Sequence, residues 1–104
     1  MGDQQQDTGT GVKERTNTRE REPTLFQVVL INDDYSTMEF VIQVLEEVFQ
    51  KSPAEAYRIM MQVHVNGRGI AGVFPYEIAE TKADKVASMA NDAGFPLRAT
   101  VEEV

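Results

Sequence analysis

From Leu25 onward, apolar residues recur with the spacings of strands and helices; before it they are too sparse to repeat. Residues 25–31, LFQVVLI, are rich in β-branched and aromatic side chains and predict a strand. The VVLI end is apolar at successive positions, so both faces of that strand end are expected to be covered. Asn32-Asp33-Asp34 stops the run, because short polar side chains favour turns. Ser36-Thr37-Met38-Glu39 has capping-box spacing, with Ser36 as the cap and Glu39 reaching back to its amide. Met38, Val41, Ile42, Leu45, Val48 and Phe49 then trace one face of a helix. Ser52-Pro53-Ala54-Glu55 repeats the start signal, with proline at the first helical position. Ala56, Ile59, Met60 and Val63 are the buried face of this second helix, which ends near His64–Asn66 with Gly67 as a left-handed cap. Residues 69–74, GIAGVF, predict a short strand whose glycines imply a bulge or a close backbone contact. Pro75 opens a third helix, with Glu77 and Glu80 at its positive end. Ala79, Ala83, Val86 and Ala90 mark its inner face, and Gly94 ends it. Leu97 to Val101 alternates apolar and polar, as a half-exposed strand does. The order β-α-α-β-α-β predicts an α+β fold. It is a small α/β sandwich, a three-stranded antiparallel sheet packed with three helices.

Composition divides the chain in two. Residues 1–24 hold only Met1 and Val12 as large aliphatics, too little apolar surface to offset chain entropy, so they are expected to be a disordered extension. Residues 25–104 are then the folded domain, and the chain shows no internal repeat. Of the net charge of −7, the body carries −6, from twelve acidic and six basic residues. An acidic body argues against a nucleic-acid binder, which needs a basic stripe, and suits a cationic partner or simply solubility. There is no cysteine, which excludes disulfides, thiolate zinc sites and thiol redox chemistry. No apolar run approaches the ~18 residues of a membrane span, and no secretory signal pattern is present, so a cytosolic location is expected.

The candidate chemistry gathers around residues 30–41, LINDDYSTMEFV. A turn alone accounts for Asn32-Asp33-Asp34, but two adjacent carboxylates repel, and the pair is tolerable where one of them faces a cation. His64, the single histidine, ends the second helix, where it is either a solvated charge at the negative pole or a ring bordering the buried face set by Met60 and Val63. Met38, Met60 and Met61 are either core residues or an adaptable binding surface. No serine stands in a nucleophile-elbow context. Asn32, Asp34 and His64 could bind a divalent metal, yet no recognisable calcium loop or HExxH accompanies them. An ammonium group has three donors and no acceptor. Asn32, Asp34 and a neutral His64 supply three acceptors beside an apolar hole, which is what the free N-terminus of a polypeptide beginning with a bulky hydrophobic residue requires.

LINDDYSTMEFVIQVLEEVF, MMQVHVNGRGIAGVF and EIAETKADKV together resemble the bacterial ClpS adaptor family over roughly residues 24–102. The resemblance implies a monomeric adaptor, not an enzyme, with no cofactor and no metal. Such adaptors bind N-degrons, proteins that begin with Leu, Phe, Tyr or Trp, and deliver them to the ClpA unfoldase of the ClpAP protease or to a ClpC-like relative. By the same resemblance Asn32, Asp34 and His64 hold the α-amino group. Leu30, Ile31, Ser36, Met38, Val41, Met60, Val63 and Leu97 wall the side-chain pocket, with Met38 as a gatekeeper against β-branched first residues. Glu77 and Lys82 match positions that contact the N-terminal domain of the unfoldase. The extension resembles a variable segment used in handover.

One departure stands out. The family commonly reads Tyr-Thr-Pro-Met where this chain has Tyr35-Ser36-Thr37-Met38. Loss of a methyl at 36 alters the pocket wall, loss of proline at 37 frees the turn that positions Met38, and aromatic first residues are expected to tolerate the change better than leucine. Two other readings use the same residues: a regulator that docks on the unfoldase and only blocks other substrates, and a metal-dependent enzyme built on Asn32, Asp34 and His64.

Overall fold

The computed structural model describes residues 23–104; the expectation for the N-terminal extension falls almost wholly outside them. The elements are β1 (Leu25–Ile31), α1 (Met38–Glu47), α2 (Pro53–Asn66), β2 (Arg68–Pro75), α3 (Tyr76–Ala93) and β3 (Arg98–Glu103). The strands form one antiparallel sheet in the order β2-β1-β3, so the first strand becomes the centre and the later two flank it. Among the described residues no helix is long and apolar enough to cross a membrane.

Val28 and Leu30 of β1 are fully buried in one core with Val44 and Leu45 of α1, Ile59 and Val63 of α2 and Val86 of α3. Val29 is also fully buried but stands outside that core, paired with Ile70 and Thr100 across the sheet. The expected cover on both faces at the end of β1 is met, by different means on each face. The helices of the described residues pack on one face, and on the other Val29 is screened by side chains of the two neighbouring strands. A central strand needs no second layer for that, because cross-strand neighbours stand within about 5 Å on the same face.

The glycine-rich strand behaves as its composition predicts. Register shifts between Val28 and Val29, where Gly72 and Ile70 are their partners, so Ala71 is the extra residue of a bulge on β2. Gly69 lies where β2 crosses α2. A Cβ there would stand 2.9 Å from Val63 Cγ2 and 3.3 Å from the Ile59 carbonyl oxygen. Gly69→Ala is expected to cost about 1–3 kcal/mol by overpacking, read as a lower urea midpoint with an unchanged slope.

Helix ends follow the sequence signals with one exception. Ser52 caps α2 by accepting from the Glu55 amide at 3.2 Å, and Gly67 closes it at φ 89°. Gly94 closes α3 at φ 78°. At α1, however, the cap is Thr37, whose hydroxyl accepts from the Phe40 amide at 3.1 Å. The capping box expected from Ser36 and Glu39 is not formed, because Asp33 takes Ser36 for itself. The strand boundaries also shift slightly. β3 runs from Arg98, the partner of Ile31 at the end of β1, and β2 gains Arg68 and Pro75.

Candidate functional site

The loop between β1 and α1 is built by Asp33. Its Oδ1 accepts from the amides of Tyr35 and Ser36, both at 2.7 Å, and its Oδ2 accepts from the Ser36 hydroxyl at 2.7 Å. Partial burial pushes this carboxyl up, but the hydrogen bonds from Ser36 and Tyr35 outweigh it and hold it below the ordinary aspartate value of 3.8. Asp33 is thus spent on the loop. Asp34 is exposed and makes no hydrogen bond among the described residues, so of the two neighbouring carboxylates it is the one open to a cation.

A single backbone bond joins this loop to the end of α2. The Asn32 amide donates to the Gly67 carbonyl at 2.9 Å. It holds Asn32 beside the last turn of α2, where His64 stands. Between loop, α1 and α2 lies a narrow cleft of about 20 Å³ lined by Asn32, Ser36, Met38, Val41, Met60, Val63 and His64. Met38, Val41, Met60 and Val63 make its apolar walls, and Asn32, Ser36 and His64 its polar rim. Met38 sits at the mouth, 45% exposed, while Met60 is only 2% exposed.

Four of the residues expected at this site do not line the cleft. Leu30 and Leu97 are packed in the same core cluster as Val41, Met60 and Val63. Ile31 is half-buried at the end of β1, and Asp34 projects from the loop. The Ser36-Thr37 departure acquires a physical role. Thr37 supplies the cap of α1, which a proline cannot do, and the Ser36 hydroxyl is turned toward Asp33. Among the described residues no three His, Asp or Glu side chains converge as they would around a metal ion.

Glu77 and Lys82 meet in a second depression of about 300 Å³ along α3, which Ile78, Thr81 and Lys85 complete. The sequence reasoning missed Ile78, yet its signal was present: residues 77, 78, 81, 82 and 85 share one helical face, and Ile78 is its exposed apolar member. Lys82 has a structural duty as well. Its Nζ donates to the Val48 carbonyl at 2.7 Å and to Gln50 Oε1 at 3.3 Å, near the rings of Phe49 and Phe74. It satisfies a carbonyl at the end of α1, where Gln50 turns the chain with φ 53°.

Comparison with known proteins agrees with this architecture. Residues 21–100 match the family described as ATP-dependent Clp protease adaptor protein ClpS. A ClpS adapter from Desulfatibacillum aliphaticivorans is 52% identical over 100 residues, covering 96% of this chain and 95% of that one. One from Maricaulis maris is 48% identical over 95 residues, covering 91% and 87%. The solved structure of Agrobacterium tumefaciens ClpS2 bound to L-phenylalaninamide superposes with a TM-score of 0.77 at 42% identity, covering 80% of this chain and all of that one. The chain belongs to the ClpS family of adaptors of the ATP-dependent Clp protease.

Proposed function

We propose that the cleft receives the first residue of an N-degron, taking its free α-amino group on Asn32, Asp34 and His64 and its bulky hydrophobic side chain between Met38, Val41, Met60 and Val63. The observation that carries this reading is the meeting of hydrogen-bond acceptors and apolar walls in one cleft, formed by three separate parts of the chain. The ligand of the Agrobacterium relative, a free amine on an aromatic amino acid, has the same two features. The α3 depression with Glu77, Ile78 and Lys82 is proposed to dock the N-terminal domain of a ClpA or ClpC-like unfoldase, which then pulls the delivered protein from the cleft. The chain itself supplies recognition and docking rather than catalysis. Binding of a Phe-initiated peptide, followed by fluorescence anisotropy beside an otherwise identical Gly-initiated one, tests the first half. Saturable binding of the first and not the second is expected, and equal binding of both would refute it.

Asp33 has a lowered folded-state value, so the stability it lends the loop is present above about 3.8 and is lost only as pH falls through that lowered value. The loop therefore stays formed between about pH 8 and 5. His64 is tested by substitution: His64→Ala removes one acceptor for the ammonium and is expected to weaken binding of the Phe-initiated peptide about tenfold or more. Unchanged affinity in that variant would remove His64 from the amine site.

A further inference from the structure

We propose that Met38 is a reversible oxidation site, and that converting its thioether to the sulfoxide shuts the cleft to hydrophobic first residues. The inference rests on the first-residue reading above and names how that site is regulated.

Among the described residues four methionines are present, and they differ sharply in access. Met38 is 45% exposed, Met60 is 2% exposed, and Met61 and Met89 are half-buried against the core. The chain has no cysteine to compete for an oxidant. Met38 is thus the most accessible soft sulfur of the described domain, and it is also a wall of the cleft.

The chemistry is a two-electron oxygen transfer from a hydroperoxide. The Met38 sulfur lone pair attacks the terminal peroxide oxygen, the S–O bond forms and the O–O bond breaks. The departing hydroxide or alkoxide takes, directly or through a water, the proton of the transferred hydroxyl, leaving water or an alcohol and the neutral sulfoxide. Sulfur is oxidised and the peroxide reduced, with no further reagent. Sulfoxide reductases reverse the change.

The consequence follows from the neighbours. A sulfoxide oxygen is a strong acceptor on a formerly apolar side chain, and Val41, Met60 and Val63 offer it no donor. The nearby Ser36 hydroxyl is already given to Asp33, and Asn32 and His64, the remaining polar lining, are the groups the incoming amine engages. Filling the cleft with an apolar side chain then strips water from the sulfoxide without replacing its hydrogen bonds. The backbone at Met38 is held independently by the Thr37 cap, so the lesion alters binding and leaves the fold intact.

The test treats the full chain with graded hydrogen peroxide. Each methionine is quantified by peptide mass spectrometry, and affinity for a Phe-initiated peptide and Tm are measured at each dose. Met38 is expected to oxidise before Met60. Affinity should fall about tenfold or more in step with Met38 sulfoxide, Tm should move little, and methionine sulfoxide reductase should restore binding. Whatever its starting affinity, Met38→Leu should show no change on peroxide treatment. Unchanged affinity with Met38 fully oxidised, or an equal peroxide-induced loss in Met38→Leu, overturns the proposal. Absence of binding before any peroxide instead contradicts the first-residue reading itself.

Discussion

A Phe-initiated peptide whose α-amino group is acetylated is expected to bind at least about a hundredfold more weakly than its free-amine twin. Acetylation leaves the aromatic ring and its burial untouched. It removes the positive charge and two of the three donors, so Asn32, Asp34 and His64 face an amide in place of an ammonium. Charge-assisted hydrogen bonds are worth about 1.5–3 kcal/mol each, and losing two of them gives the hundredfold figure. Truncating the ring while keeping the amine forfeits about 1.5–3 kcal/mol of apolar burial, a smaller loss. The order of these two effects is itself diagnostic, because a purely apolar groove gives the reverse. Affinities of the acetylated and free peptides within threefold of each other would refute amine recognition.

The largest expected effect on the fold is that of Leu45→Ala. Leu45 is fully buried on α1, in the cluster that also holds Val41, Met60 and Val63. Emptying such a site costs about 2–5 kcal/mol, through lost transfer energy and the cavity left behind. A domain of about 80 residues has roughly 4–12 kcal/mol in all, so the variant loses a large fraction of its stability. Tm is expected to fall by roughly 10 °C or more in a thermal scan. Phe-initiated peptide at a hundred times its Kd should return about 2.7 kcal/mol, since it binds only the folded chain. A loss below about 1 kcal/mol would contradict the packing described for α1.

Much of the fold was legible from periodicity. β1 has the bounds its apolar run gives, and Ser52-Pro53 with Gly67 brackets α2 as capping chemistry requires. The start of α1 was misread for a local reason. Ser36-x-x-Glu39 matches a capping box, but Asp33 stands three residues before Ser36 and captures its amide and hydroxyl, which passes the cap to Thr37. The apolar run VVLI announced cover on both faces, and Val28, Val29 and Leu30 are all fully buried; hydropathy alone does not say whether helices or neighbouring strands supply it.

The site was legible as residue types, not as a place. That Asn32 stands beside His64 depends on the bond from the Asn32 amide to the Gly67 carbonyl, a contact no spacing rule encodes. Leu30 and Leu97 were assigned to the pocket wall by resemblance alone, and here they pack in the same core cluster as Val41, Met60 and Val63. The resemblance gave Lys82 a docking role; its structural duty was not legible, because its ammonium satisfies a carbonyl at the end of α1, 34 residues away in the chain.

The central claim is that the cleft between the Asn32 loop, α1 and α2 reads an amine and a hydrophobic side chain together. The most direct measurement is a nuclear magnetic resonance titration of L-phenylalaninamide into the isotopically labelled full chain. The account predicts that the largest shifts fall on Asn32, Met38, Val41, Val63 and His64, with little change on the α3 face. Largest shifts at Glu77, Ile78 and Lys82, or in the groove lined by Phe40 and Met89, with the cleft unmoved, would contradict it.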